Sequence, residues 1–319
     1  MKLNVEQLVQ EMTLEEKAGL CSGENFWFTK AVERLGIPGI MVTDGPHGLR
    51  KQAKQADHLG LNASVEAVCF PAGCALASSF DRALLQSVGE KLGEEAWSEH
   101  VHTLLGPAIN IKRSPLCGRN FEYYSEDPLV SGMTASAIVR GVQSIAGRGA
   151  TIKHFACNNQ EDYRMGSDSI LSERALREIY LKGFEIAVRD AQPMAIMTSY
   201  NMINGIHAAN HYDLCTKAAR DEWGFAGAIM TDWTTTNATP RGECTAAGCM
   251  RAGNDMVMPG MEMDFESIRT ALADGTLDIM DLKRCIWNTI RIILQSGRYE
   301  EAVSYSRQFS GLGTYMTVE

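Results

Sequence analysis

The sequence predicts an α/β fold of the TIM type, a single-domain (β/α)8 barrel in which one strand is irregular or missing. Three observations lead to this prediction. Short apolar runs rich in β-branched residues alternate with segments of helical period. The length of 319 residues suits one barrel. Polar residues stand where several apolar runs end, and the carboxyl ends of barrel strands meet at one mouth, where active sites lie.

Seven apolar runs are predicted as strands because each is too short for a helix and because Gly or turn residues bound many of them. In chain order they are 39–43, 74–77, 103–107, 149–152, 195–199, 227–231 and 254–258. Their alternation with helices implies a parallel sheet joined by right-handed crossovers. An eighth strand cannot be placed.

The helices between these runs are marked by residues that accept hydrogen bonds at helix N-termini. The four signals are a capping box in Thr13-Leu14-Glu15-Glu16, Asp81, Asp127 followed by Pro128, and Ser172. A final helix is predicted over 278–296, and Gly297 fits the C′ position that ends a helix. Residues 298–319 have neither helical nor strand period. We therefore expect the barrel domain to cover 1–297 and the remainder to be a tail or linker.

Composition and charge argue against several classes of partner. The net charge of −9 disfavours nucleic acid and anionic membranes, because both require a positive face. A neutral small molecule is the favoured ligand. No apolar stretch approaches the roughly 20 residues of a membrane span, and the N-terminus lacks the apolar segment of a secretory signal. A cytoplasmic location is expected.

Cysteine and histidine spacing gives no sign of a metal site or a disulfide framework. The nine cysteines form no C-x-x-C pair, and the histidines show no ligand spacing with carboxylates. We expect reduced, mostly buried thiols, no metal site and no cofactor.

Asp232 is the strongest catalytic candidate because it directly follows the run 227–231 and precedes Trp233. A carboxylate at that position could attack an anomeric carbon and form a covalent glycosyl intermediate. Trp233 could form a wall of a sugar site. The alternative is that Asp232 only caps the following loop.

Asp44 opens the turn Asp44-Gly45-Pro46, where Gly and Pro fix the backbone and leave the carboxylate exposed. An ionised carboxylate accepts hydrogen bonds from sugar hydroxyls, although a turn-capping role would explain the same residue. Lys153 and His154 are consecutive, and consecutive strand residues point to opposite faces. Both can serve one pocket only where the backbone distorts.

Further polar residues stand in loops. Arg119 and Glu122 would add donors and acceptors, as would Asn159 and Glu161, though each could equally be an ordinary loop residue. Tyr200 follows the fifth predicted strand and is either a rim contact or part of a turn.

Five ordered segments carry a resemblance to a known family. They are VTDGPHGLR, GPAINIKRSPLCGRNFEYYSEDP, IKHFACNNQE, SYNMINGI and GAIMTDW. From about Leu14 to Ser296 the chain resembles the N-terminal barrel domain of glycoside hydrolase family 3, the β-glucosidase and β-xylosidase family. The resemblance implies a retaining mechanism with Asp232 as the nucleophile.

The resemblance also implies a small saccharide or glycoside as substrate. Asp44, Arg119, Lys153 and His154 match the residues that hold the sugar in the subsite where cleavage occurs, with Tyr200 nearby. The implied reaction is hydrolysis of terminal non-reducing β-D-glucosyl residues. β-Xylosidase or another exo-glycosidase activity is a minor alternative.

The resemblance leaves the general acid/base unassigned. In the β-glucosidase branch this residue, usually Glu, comes from a second α/β sandwich domain that these 319 residues do not contain. The single-domain N-acetylglucosaminidase branch has a longer loop with an Asp-His acid/base after Lys-His-Phe, where this chain continues Ala156-Cys157-Asn158-Asn159. We expect the acid/base to come from such a second domain or from the partner in a homodimer.

Two other functions stay open from the sequence. A barrel without an acid/base could hold a carbohydrate without cleaving it, as a domain fragment or degenerate paralogue. Retention of Asp232 speaks against degeneration. A phosphate-binding barrel of aldolase or isomerase type would need a Gly-rich turn after the seventh or eighth strand, and 256–260 offers one Gly.

Overall fold

The fold is known from a computed structural model that describes residues 5–53, 62–237 and 244–298. Its strands are β1 Val42–Asp44, β2 Thr103–Leu105, β3 Gly149–Phe155, β4 Asp168–Ser169, β5 Ala195–Thr198, β6 Met202–Ile203, β7 Ile206–His207 and β8 Ala228–Met230. Five of them pair in the order β1-β2-β3-β5-β8, and every pairing is parallel. The short strands β4, β6 and β7 form a separate small sheet.

Isolated bridges continue the main sheet beyond β8 and return it to β1. They join Met230 with Met256 and Ser22 with Val257 in parallel, and Gly23 with Thr29 and Phe28 with Met41 in antiparallel orientation. Met41 directly precedes β1, so single bridges lead from β8 back to β1, although continuous strands do not close the five-stranded sheet. The protein is therefore an irregular TIM-type barrel, as the sequence predicts. The predicted run 254–258 takes part through these bridges and not as a full strand.

Helices cover the outside of the barrel. They are α1 Val5–Glu11, α2 Leu14–Leu20, α3 Gly73–Ala77, α4 Arg82–Ser98, α5 Pro128–Gln143, α6 Glu173–Ala175, α7 Lys182–Ala191, α8 Ala246–Ala252, α9 Glu262–Ala273 and α10 Ile279–Gln295, with π-helical segments Leu176–Tyr180 and Asp213–Glu222. The sequence does not predict α1, α8, α9 or the segment Asp213–Glu222. In the described part of the chain, no helix is both long and apolar enough to cross a bilayer.

The predicted N-terminal caps are confirmed. Thr13 accepts a hydrogen bond from the N–H of Glu16, whose carboxylate accepts one from the N–H of Thr13. The carboxylate of Asp81, that of Asp127 and the hydroxyl of Ser172 likewise accept hydrogen bonds from the first turns of α4, α5 and α6. These side chains satisfy N–H groups that have no partner within the helix.

One strand prediction is wrong. Residues 74–77 lie in the helix α3, where the N–H of Leu76 donates to the carbonyl of Ala72. A short buried apolar run cannot be assigned by periodicity, and this one contains Cys, Ala and Leu without a β-branched residue. The predicted tail is untested, because 299–319 lie outside the described residues.

A tight contact between α4 and α5 offers a test of this packing. A Cβ atom built on Gly141 would lie 2.2 Å from the carbonyl oxygen of Gln86, whereas one on Gly183 in α7 finds its nearest neighbour at 3.5 Å. We expect Gly141→Ala to lower the free energy of unfolding by about 1–3 kcal/mol, because the helices must move apart. Gly183→Ala should be neutral or stabilising by up to ~1 kcal/mol. Urea unfolding of both variants measures the contrast, and equal effects would contradict the packing.

Candidate active site

A pocket of about 310 Å³ lies where the main strands end. Seven of the eight predicted site residues line it, namely Asp44, Arg119, Lys153, His154, Tyr200, Asp232 and Trp233. The eighth, Glu122, is buried behind the pocket wall and contacts Arg119 and Lys153. Because β1, β3 and β8 run parallel, their carboxyl ends bring Asp44, Lys153 and Asp232 together although the sequence separates them widely.

Lys153 is the centre of a buried ion-pair network. Its Nζ lies 2.7 Å from Oδ1 of Asp44 and 3.5 Å from Oε1 of Glu122. Arg119 binds the other oxygen of Glu122, with its Nη2 2.7 Å from Oε2. Burial by itself would raise the pKa of Asp44, but the ammonium of Lys153, aided by Arg119, holds that pKa below its usual value. Asp44 is therefore an acceptor, suited to sugar hydroxyls.

Asp232 lies two residues beyond β8. Its Oδ1 accepts a hydrogen bond of 2.7 Å from the N–H of Trp233, and its Oδ2 lies 3.9 Å from Nε2 of His154. Burial raises the pKa of Asp232, and the positive charge of Arg119 opposes that rise. The gap of 3.9 Å between Asp232 and His154 is too long for a direct hydrogen bond.

The backbone departs from a regular strand at Lys153 and His154. The peptide bond between them is cis, and the pairing of β3 with β5 shifts register between Ile152 and Phe155. Because the register shifts within β3, both side chains line the same pocket, which a regular strand would not allow. Burial, reinforced by the charges of Arg119 and Lys153, lowers the pKa of His154 well below its usual value, so its imidazole is neutral.

Aromatic rings form one wall of the pocket. The hydroxyl of Tyr200 donates to the carbonyl of Trp233 over 2.9 Å, and the indole N–H of Trp233 donates to the carbonyl of Phe26 over 2.9 Å. The rings of Trp27 and Trp233 lie 5.7 Å apart. Flat apolar surfaces beside charged groups suit a sugar, which has both apolar and hydroxyl-bearing faces.

Several lining residues were missed by sequence reasoning. Arg164 stacks over the ring of Tyr200, with its Cζ 4.6 Å from the ring centroid, and pairs with Glu161 at 2.7 Å. Phe26 and Trp27 come from the connection between α2 and β1. The triplet Phe26-Trp27-Phe28 is the one signal that could have indicated this wall. Within the ranges the structure describes, no group of three or more His, Cys, Asp or Glu residues could hold a metal ion.

The buried carboxyl of Asp232 should limit the stability of the fold. Because its pKa is raised by folding, its contribution is most favourable below the unfolded pKa, about 3.9, and is lost as the pH rises through the folded value. We expect Asp232→Asn to raise the free energy of unfolding at pH 7, with the gain shrinking towards pH 4. Urea titrations at both pH values test this, and a variant less stable at pH 7 would contradict it.

Comparisons with known proteins agree with the arrangement of the pocket. The sequence matches the family described as glycosyl hydrolase family 3 N terminal domain over residues 24–286. Thermostable beta-glucosidase B of Acetivibrio thermocellus is 47% identical over 297 residues, which are 93% of this chain and 38% of that protein. An exo-alpha-(1->6)-L-arabinopyranosidase of Bifidobacterium longum is 47% identical over 286 residues, 89% of this chain and 37% of that protein.

A solved structure shares the fold. Beta-glucosidase 3B from Thermotoga neapolitana in complex with glucose superposes with a TM-score of 0.85 and 40% identity, covering 93% of this chain and 43% of that one. The chain thus spans about two-fifths of the length of these relatives.

Proposed function

The chain belongs to the glycosyl hydrolase family 3 N-terminal domain family, and from its pocket we propose that it is the barrel of an enzyme that hydrolyses terminal non-reducing β-D-glucosyl or related residues. The observation that carries the proposal is the meeting of Asp232 with Asp44, Lys153 and His154 around one small cavity. Its volume of about 310 Å³ lies at the lower end of the range for small-molecule sites.

The proposed mechanism is a retaining double displacement. A carboxylate oxygen of Asp232 attacks the anomeric carbon, and the bond to the aglycone oxygen breaks as that oxygen receives a proton from a general acid. A water molecule then attacks the anomeric carbon of the covalent glycosyl ester and gives a proton to the residue that had served as the general acid. The sugar is released and the carboxylate of Asp232 is restored. Asp44 and Lys153 would hold hydroxyls as acceptor and donor, while Arg119 favours the ionised form of Asp232.

The general acid is the missing component. Among the described residues the pocket lining contains two carboxylates, Asp44 and Asp232. Lys153 lowers the pKa of Asp44, which makes it a poor proton donor, and Glu122 and Glu161 lie outside the pocket lining, each paired with an arginine at 2.7 Å. A retaining enzyme requires a carboxyl about 5–5.5 Å from the nucleophile. We therefore propose that this residue comes from a second α/β sandwich domain or from a second copy of the chain.

Two further parts of the proposal concern the sugar and the cell compartment. One relative is named an arabinopyranosidase, so a pentopyranoside is the second candidate substrate, and β-xylosides belong to the same class. A β-xyloside lacks the CH₂OH group of glucose, and an L-arabinopyranoside also differs in the configuration of one ring hydroxyl, so pocket details must discriminate among these sugars. We also propose that residues 1–297 form the catalytic barrel and that the protein acts in the cytoplasm.

Aglycone release and glucose binding test the proposal against a purely sugar-binding barrel. A 2,4-dinitrophenyl β-glucoside needs little protonation of its leaving group, so the chain should release dinitrophenolate slowly and leave methyl β-glucoside almost intact. Calorimetry with glucose is run on the same preparation. Glucose binding without any dinitrophenolate release would favour the sugar-binding barrel, and neither binding nor release would contradict both functions.

A further inference from the structure

The ring of His154 is held from the side that faces away from the pocket. Its Nε2 points towards Asp232, whereas its Nδ1 lies 3.4 Å from the hydroxyl of Tyr123 and 3.4 Å from Oδ1 of Asn110. His154 and Tyr123 are both buried. In a neutral imidazole one ring nitrogen carries the proton. The hydrogen bond made by one nitrogen determines whether the other is protonated.

Tyr123 is the last residue of a chain of hydrogen bonds that begins at Arg164. Arg164 binds Oε2 of Glu161 at 2.7 Å, and Oε1 of Glu161 accepts from the amide Nδ2 of Asn158 at 2.9 Å. The same Nδ2 donates to the hydroxyl oxygen of Tyr123 at 3.1 Å. Because a carboxylate only accepts, Glu161 fixes which end of the Asn158 amide faces it.

The direction of these hydrogen bonds determines which group the O–H of Tyr123 donates to. Since the hydroxyl oxygen of Tyr123 already accepts a hydrogen bond from the amide of Asn158, its own O–H must donate to another group. Within the described residues, Nδ1 of His154 is the acceptor that lies in range. An acceptor at Nδ1 requires the proton of the neutral ring to be on Nε2.

We propose that Tyr123, oriented by Asn158 and Glu161, fixes His154 in the tautomer with its proton on Nε2 and so presents a hydrogen-bond donor to the pocket. These three are positioning residues. The role of this donor rests on the function proposed above. Nε2 of His154 would donate to the oxygen of a sugar hydroxyl that bridges it and Oδ2 of Asp232, two atoms 3.9 Å apart.

In the opposite tautomer, fewer of the buried polar groups around His154 have hydrogen-bond partners. A proton on Nδ1 could donate to Oδ1 of Asn110, which accepts from the backbone N–H of His154 at 2.8 Å and has a second lone pair. The buried hydroxyl of Tyr123 would then lose its acceptor, and an unpaired buried donor is costly. The lowered pKa of His154, caused by burial and by the charge of Arg119, agrees with a neutral ring.

The tautomer can be measured directly in the intact chain. With ¹⁵N in both ring nitrogens of the seven histidines, a long-range proton–nitrogen correlation separates protonated from unprotonated nitrogens, and the spectrum of His154→Gln assigns the His154 signals. We expect the proton on Nε2 in the unmodified chain. In Tyr123→Phe it should move to Nδ1, where Asn110 can accept it, and Tyr124→Phe, which removes a neighbouring buried hydroxyl with no hydrogen bond to His154, should leave it on Nε2.

A proton on Nδ1 in the unmodified chain overturns the proposal, as does a Tyr123→Phe spectrum identical to that of the unmodified chain. Should Tyr123→Phe fail to fold, the ring nitrogens of the unmodified chain decide, because a proton on Nδ1 there already rejects the proposal. None of these readouts requires turnover, so a failure here is distinguishable from failure of the proposed hydrolase function.

Discussion

Asp232→Ala should abolish the release of dinitrophenolate from 2,4-dinitrophenyl β-glucoside. The proposed covalent step depends on this carboxylate, and loss of a nucleophile typically costs roughly 10⁴-fold or more in rate. The fold should survive, because removing a buried carboxyl with a raised pKa relieves an unfavourable charge at pH 7. The measurement is the first-turnover rate with enzyme in excess, together with the circular dichroism of the variant.

The matched control is Asp213→Asn. Asp213 is an exposed aspartate at the start of a π-helical segment, paired with Lys217 at 2.9 Å. The substitution removes a carboxylate that lies away from the pocket. The Asp213→Asn variant should therefore release dinitrophenolate as fast as the unmodified chain. If Asp232→Ala kept more than about a tenth of the rate, Asp232 could not be the nucleophile.

Lys153→Met should weaken both the fold and the sugar site. The substitution leaves Asp44 and the buried Glu122 without their shared cation. Breaking a buried ion pair costs about 3–5 kcal/mol, and the lower end is expected because the Asp44 side chain is 37% exposed. Loss of the charged donor should also weaken glucose binding by roughly 10- to 100-fold. Urea unfolding and calorimetry measure the two effects.

The loss of folding stability in Lys153→Met should become smaller as the pH falls. Lys153 helps to hold the pKa of Asp44 below its usual value, so the stability from the pair is present above the unfolded pKa, about 3.9. This stability disappears as the pH falls through the folded pKa of Asp44. The difference in free energy of unfolding between Lys153→Met and the unmodified chain should therefore narrow at low pH.

Lys51→Met is the control. Lys51 pairs with Glu99 at 3.2 Å in a more exposed position, so its replacement should lower the free energy of unfolding by less than ~1 kcal/mol. Equal losses in the free energy of unfolding for Lys153→Met and Lys51→Met would contradict the buried ion-pair network around Lys153.

The strand-borne part of the site was predictable because sheet geometry dictates it. A polar residue that ends a buried parallel strand faces the barrel mouth whatever its sequence distance from the others. Asp44 ends β1 and Asp232 follows β8 by two residues, so both meet that condition. Lys153 directly follows the predicted run 149–152 but lies inside β3, which continues to Phe155. The structure brings all three residues together.

The loop-borne part was not predictable for an equally physical reason. Trp27 reaches the pocket because its carbonyl accepts the N–H of Val42 at 2.8 Å, a contact that local sequence does not determine. Arg164 is positioned by Glu161 and the ring of Tyr200, which lie on different segments. The helix at 74–77 was misassigned because four apolar residues carry no readable period.

Covalent trapping tests the central claim most directly, namely that Asp232 faces the anomeric carbon of a bound sugar. A 2-deoxy-2-fluoro β-glucoside with a dinitrophenyl leaving group forms the glycosyl ester and slows its hydrolysis. Proteolysis and mass spectrometry should then place one fluoroglucosyl group on Asp232. A label on any other residue, or dinitrophenolate release with no label on the protein, would contradict the account.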